Sequence, residues 1–266
     1  MSKVFGASSS DSGSAQIQDT SQQQALGVIA TGIPGFDEIL GQGLPAGNLY
    51  LISGVLGSNA SLFVQQILYN TLIGKAKVTY YTVEQASTDI IQDMQLYGMN
   101  VQQYVDDGSW VFARVLPANL KKIMEALPEV PMEQRIDVHE SLSGLMNHFH
   151  DSAKEGRNTA IHLPYLIRNF SLEEIQNLLF FMTGVARKYG GIHFLLLTEG
   201  AHDQSTVITI KDAVDSVFDV ATSVRGSDVE NVVTIQKIRN MKLAARIIRL
   251  AMRDNGLATE TIRRVQ

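Results

Sequence analysis

The chain has 266 residues, 45% hydrophobic and 18% charged, which is enough for one large α/β domain with a full core. Its formal charge of −5 gives no overall attraction to nucleic acid or an anionic membrane, and zero cysteines exclude disulfides and thiolate metal sites. With no signal-peptide stretch and no run near the ~20 apolar residues of a spanning helix, the expectation is a cytoplasmic protein without membrane insertion.

Residues 1–24 hold seven Ser and five Gln, with only Lys3, Asp11 and Asp19 charged. Such a composition buries too little apolar surface to offset ordering entropy, so a disordered tail is expected, followed by a single domain over 25–266. Ile33-Pro34-Gly35 and the glycine-rich Gly41 to Gly47 bracket a short segment, Phe36 to Leu40. An apolar strand, Leu49 to Ile52, then runs into Gly54-Val55-Leu56-Gly57-Ser58-Asn59-Ala60-Ser61, and helix-like spacing follows at Leu62, Phe63, Ile67 and Leu68.

That strand, loop and helix follow the phosphate-loop template G-x-x-x-x-G-K-[ST]. Gly54 and Ser61 fill its first and last positions, Asn59 stands at the second glycine, and Ala60 stands at the lysine. The lysine carries the charge that meets the β- and γ-phosphates, so Ala60 removes the main side-chain cation of such a site. Backbone N–H groups at Gly57, Ser58 and the helix start can still face an anion.

Beyond the loop the pattern alternates as in a βαβ sheet. Val78 to Val83 reads as a strand, Asp89 to Leu96 as a helix, Val111 to Val115 as a strand and Leu120 to Leu127 as a helix. Residues 128–135 read as a connector, Val138 to Ser152 as an amphipathic helix and Thr159 to Leu163 as a strand. Leu172 to Tyr189 is a long helix, and Ile192 to Thr198 a continuous apolar strand suited to a parallel sheet covered on both faces. Val214 to Val224, Val232 to Ile238 and Ile247 to Met252 complete the strands, with hairpin turn chemistry at Asp254-Asn255-Gly256; residues 242–253 also fit a helix. His148 and His150 lie two apart, which on a helix puts them on different faces, and the six histidines show no metal spacing.

Thr31-Gly32-Ile33-Pro34-Gly35-Phe36-Asp37 and Gly43-Leu44-Pro45-Ala46-Gly47 resemble the segment leading into the phosphate loop of the KaiC-like branch of RecA-superfamily ATPases. The resemblance continues through Tyr80 to Glu84 and through Val105-Asp106-Asp107-Gly108; Gln92 to Gln95 and the single Glu84 look most like the archaellum accessory ATPase family. It implies an archaeal origin, a RecA-like fold with a mostly parallel sheet, helices on both faces and an antiparallel C-terminal extension, and a tendency to form rings or dock on one. It also implies roles: Ser61 at the Mg²⁺ hydroxyl, Glu84 at the general base, and an aspartate ending the strand at 159–163. There the chain offers His162 or Leu163, and imidazole is a poor partner for hard Mg²⁺. Lys237-Ile238-Arg239 resembles the K-x-R element that reaches a neighbour's γ-phosphate, and it begins a basic stretch through Lys242, Arg246, Arg249 and Arg253.

Two elements altered together predict a non-catalytic subunit that needs no cofactor and holds ATP and Mg²⁺ only weakly. It would assemble with itself or with an active KaiC-like ATPase. The competing readings are a weak ATPase using Ser61, Glu84 and a displaced Lys75 or Lys77, and a DNA-binding paralogue using the basic stretch, disfavoured by the net charge. If Lys237 and Arg239 are exposed, removing both leaves the fold unchanged.

Overall fold

The computed structural model describes residues 27–83, 85–116, 133–137, 141–225, 228–243 and 245–260. The first 24 residues, and so the predicted tail, lie outside them, as does the predicted helix at 120–127. In chain order the first half comprises β1 (Val28–Ile29), α1 (Phe36–Leu40), β2 (Leu44–Pro45), β3 (Asn48–Gly54), α2 (Ala60–Ile73), β4 (Lys77–Thr82), α3 (Ser87–Leu96), α4 (Gln102–Asp106) and β5 (Trp110–Leu116). There follow β6 (Glu133–Asp137), α5 (Ser143–Lys154), β7 (Arg157–His162), α6 (Pro164–Asn169), α7 (Leu172–Tyr189), β8 (Ile192–Thr198), α8 (Gln204–Ala213), β9 (Ser216–Arg225), β10 (Asp228–Lys237), β11 (Ile247–Arg253) and β12 (Gly256–Thr259).

Ten strands form one sheet in the order β12-β11-β10-β9-β3-β8-β7-β4-β5-β6. From β9 to β6 every pairing is parallel, and β10, β11 and β12 extend the sheet antiparallel. Alternation along β3 explains the two-faced core. Tyr50 and Ile52 join Phe63 and Ile67 of α2 and Met94 of α3 on one face; Leu49 and Leu51 join Phe149 of α5 and Leu178 and Met182 of α7 on the other. The α/β, RecA-like architecture expected from the sequence is therefore present.

Local chemistry accounts for the clearest boundaries. At α7, Ser171 and Glu174 form a reciprocal cap: the Ser171 N–H donates to Glu174 Oε2 at 2.8 Å and the Glu174 N–H to Ser171 Oγ at 3.3 Å. Three assignments change and one is decided. Residues 133–135, read as connector, begin β6, which is held parallel to β5. The helix read over 138–152 begins at Ser143. The strand read at 247–252 holds over 247–253 against the helix that also fitted, because burial alternates there, with Ile248 and Leu250 inside. Helix α8 escapes the pattern because Ile210 is its one buried residue.

The segment from Thr31 to Asp37, ahead of β3, is a clasp. Asp37 accepts from the Thr31 N–H and Thr31 hydroxyl at 2.8 Å each, and from the Gly32 N–H at 2.9 Å. Asn70 of α2 donates to the Thr31 carbonyl at 2.9 Å, and the Thr259 N–H of β12 donates to the Pro34 carbonyl at 2.9 Å. Gly35 sits at φ +76° where a Cβ would come within 2.0 Å of Thr259 Oγ1, so no side chain fits.

Candidate functional site

The loop between β3 and α2 opens at the carboxyl edge of the parallel strands, where ligands of open α/β sheets bind. Gly54, Gly57, Ser58, Ala60 and Ser61 line a cleft of 170 Å³ whose opposite wall is His162, Leu196, Leu197 and Thr198. A second cavity of 340 Å³ adjoins it, sharing His162 and Thr198 and lined further by Thr82, Gln85, Tyr165 and Arg168. Glu84 lies outside the described residues, although its neighbours Val83 and Gln85 line this second cavity.

The loop's contacts follow from its sequence. Gly54 is required by packing, since a Cβ there would meet Ser58 Oγ at 2.5 Å and Ala60 Cβ at 2.6 Å. The Ser58 N–H donates to the Val55 carbonyl at 2.9 Å, which turns one loop donor away from the cleft. Asn59 gives no side-chain cap to α2; its amide instead donates to Asn231 Oδ1 at 2.8 Å and ties the loop to β10. The first intrahelical bond runs from the Phe63 N–H to the Asn59 carbonyl at 2.9 Å, so the N–H groups of Ala60, Ser61 and Leu62 have no intrahelical acceptor. They and the helix dipole give the cleft a weak positive end. Leu56, at the tip, is 91% exposed.

The loop carries no lysine, and Lys211, which shares Glu199 with Ser53 at the loop's base, is committed elsewhere. Lys211 of α8 bridges Asp219 Oδ1 at 2.9 Å and Glu199 Oε1 at 3.6 Å, while Ser53 donates to the same Glu199 oxygen at 3.0 Å. Lys75 and Lys77 lie past the far end of the 14-residue α2, about 21 Å along its axis, so they do not reach the loop.

His162 ends β7 with a partly exposed edge in both cavities, while most of the ring sits deep among protein atoms. Its Nε2 lies 3.1 Å from the Tyr80 hydroxyl. Burial pulls its pKa down to about 4, so it is neutral at pH 7, and burial pushes the Tyr80 hydroxyl well above its ordinary value. Beside Ser61 at the cleft, then, stands a neutral imidazole rather than a carboxylate. Among the described residues no group of three or more His, Cys, Asp or Glu is placed to hold a metal ion.

Lys237 and Arg239 stand at the opposite edge of the sheet. Lys237 Nζ donates to the Asp212 carbonyl at 2.9 Å, and Arg239 pairs with Asp215 at 3.1 Å, which also accepts from Arg187 at 2.8 Å and the Leu49 N–H at 3.2 Å. The Asp215 side chain is only 4% exposed, so Arg239 partners a buried charge rather than ending a solvated edge. Arg246 donates to the Gln236 carbonyl at 3.1 Å and Arg249 to Glu230 at 3.0 Å, so the basic stretch is largely engaged within the chain. His148 bonds Tyr81 and His150 bonds Tyr189. The sequence reading missed Thr82 and Arg168 as cavity residues; their positions at a strand end and just past β7 were the available signal.

This strand–loop–helix on a parallel sheet, with an antiparallel extension, defines a P-loop protein of RecA-like architecture. A family model described as "ATPase: KaiC" matches residues 29–261, and the chain belongs to that family. Over 97 residues it is 35% identical to a UPF0273 protein of Pyrococcus furiosus, covering 36% of this chain and 39% of that protein. It is 36% identical over 91 residues to the circadian clock oscillator protein KaiC of Synechococcus elongatus, covering 34% of this chain and 18% of the clock protein. The matches thus span about two fifths of the UPF0273 relative and under a fifth of the clock protein. The crystal structure of a KaiC-like protein from Pyrococcus horikoshii superposes with a TM-score of 0.70 at 16% identity, over 89% of this chain and all of that one, a likeness of fold.

Proposed function

We propose that this chain is a catalytically degenerate KaiC-like protein, a regulatory or scaffold subunit that assembles with itself or with an active KaiC-like ATPase in an archaeal signalling or motility assembly. The observation that carries this reading is the pairing of Ala60 and His162 across one cleft. Phosphoryl transfer depends on a cation at the β- and γ-phosphates and on a carboxylate-supported Mg²⁺. Ser61 alone, facing a neutral imidazole, does not fit that ion, which demands an octahedron of hard oxygens. Without that ion, Glu84 has no hydrolytic role in this reading. Lys237 and Arg239 take the trans role implied for the K-x-R element only by leaving Asp212 and Asp215, so they act first as braces of the sheet edge.

The test is steady-state phosphate release by the pure full chain, with Glu84→Gln as control. Each lost transition-state contact costs about 10²–10³-fold in rate, so two take a modest ATPase to background. Turnover on the order of one per minute that vanishes in the control overturns the reading. Sizing with and without a KaiC-like ATPase tests the assembly half separately.

A further inference from the structure

The outer face of α7 carries features that the chain's own packing does not use. Glu173, Asn177, Phe180, Gly184 and Arg187 recur at alternating spacings of four and three, so they form one stripe on the side away from the buried Ile175, Leu178 and Met182. Phe180, at its middle, is 83% exposed, and one turn further on stands Gly184. Glycine inside a helix is less favourable than any residue but proline, yet a Cβ at Gly184 would meet no atom of the described residues within 4 Å. Packing within the chain therefore does not ask for glycine there. Both residues line a groove of 610 Å³, together with Thr183 and Lys188 and with Ala213 of α8. Thr183 is 7% exposed, and its hydroxyl has no hydrogen-bond partner among the described residues, a polar atom the monomer leaves unmet.

Charge is segregated along the same face. Glu174 is committed to the helix cap and Arg187 to Asp215, but Glu173 in the first turn and Lys188 in the last make no ion pair among the described residues. Such a face is complementary to itself run in the opposite direction. We propose that α7 is a two-fold interface between two copies of this chain, packed antiparallel, with Phe180 of each copy seated over Gly184 of the other. Glycine lets the two helices approach closely at that point. Setting position 180 opposite 184 sets 176 opposite 188. Glu173 then lies three residues, about 4.5 Å along the axis, from Lys188 of the second copy, within reach of the two side chains. The two-fold axis repeats both contacts, and an isologous contact of this kind closes at two copies. One helix pair covers less than the ~1,200 Å² of a standard interface, so the association is weak, in the micromolar range. The proposal rests on the self-assembly half of the proposed function, to which it gives a surface, and is independent of the catalytic half.

The experiment is sedimentation velocity of the full chain from low micromolar to submillimolar concentration, at low salt. We expect a reversible step that doubles the mass and that added salt weakens. Glu173→Lys or Lys188→Glu alone brings like charges together at both symmetric contacts and should weaken that step roughly tenfold. The two changes combined in one chain exchange the ends of the face and should restore it to within about threefold, which a merely structural role for either residue would not do. Phe180→Ser should weaken the step roughly tenfold or more. Gly184→Leu fills the notch and should abolish the step, while raising the melting temperature of the dilute monomer by roughly 2–4 °C, because leucine is the better helix former in open space. Melts of the other variants confirm folding, and the charge exchange decides the matter even if one substitution fails to fold. The proposal is overturned by the absence of a mass-doubling step, by a step that Gly184→Leu leaves intact, or by single charge reversals that the exchange does not rescue. A lowered melt in Gly184→Leu also overturns it, since the groove is then filled by a segment of the same chain. Self-association that persists in every variant refutes this surface and leaves the assembly reading standing. A chain that stays monomeric throughout removes both, and a negative phosphate-release result stands in either case.

Discussion

Gln66 and Asn70, in the later turns of α2, have their amides engaged with other parts of the chain, whereas Ala60 and Ser61, in its first turn, make no side-chain bond among the described residues. Gln66 Nε2 donates to the Leu257 carbonyl at 2.9 Å and its Oε1 accepts the Leu257 N–H at 2.7 Å, so this one side chain acts as a strand partner for β12. Asn70 fastens the N-terminal clasp. The loop end of the same helix presents a methyl group, a hydroxyl and bare N–H groups to an open cleft. A fold can keep its helix because of what braces one end while the other end changes chemistry, since packing and phosphate recognition draw on different residues.

The largest effect that sharpens this contrast is on acidification. Burial holds His193, in the core, and His162, at the cleft, each at a pKa of about 4 against an ordinary value of 6.5. The unfolded chain therefore binds more protons than the folded one between those values. Stability is complete above pH 6.5, falls by up to about 1.4 kcal/mol per pH unit for each histidine down to pH 4, and levels off below. Urea midpoints across that range check this; His162→Asn should remove its share of the slope and leave the His193 share, and an identical slope in the variant refutes it.

Next in size is Gln66→Ala, which strands two buried backbone groups of Leu257 and should cost about 3 kcal/mol, lowering the melting temperature by roughly 6–12 °C. Ser61→Ala, at the other end, should stay within about 0.5 kcal/mol. Equal losses at the two positions would erase the distinction between a braced and an unbraced end.

Asp215→Ala removes the acceptor shared by Arg187, Arg239 and the Leu49 N–H and should cost about 2–3 kcal/mol, read by thermal denaturation. Smaller is the effect of Ala60→Lys, which returns a cation to the cleft. It should tighten ADP binding about tenfold, or about 1.4 kcal/mol, with no phosphate release because His162 remains. Turnover in that single variant would show that the loop alone, rather than both walls of the cleft, was disabled. Smallest is Lys237→Ala with Arg239→Ala, about 1 kcal/mol, because Arg187 still pairs Asp215. The sequence alone led to the expectation of a nearly unmoved melt, and the measurement decides between the two.

The sequence by itself determined the order of strands and helices wherever burial is periodic, as at Leu172–Tyr189, or continuous over a short run, as at Ile192–Thr198, and it located the loop with Ala60 at the template's lysine position. Those features are local: a glycine turn, a capping pair and a stripe of apolar side chains act over a few residues. The weakly buried α8 and the strand at 247–253 needed neighbours to decide them, since one is mostly exposed and the other fits two periods. Only the tertiary structure paired Asn59 with Asn231, Gln66 with Leu257 and Arg239 with Asp215, contacts between residues 172, 191 and 24 positions apart. It alone set Tyr80 behind His162, because hydrogen-bond partners and burial are fixed by packing across strands.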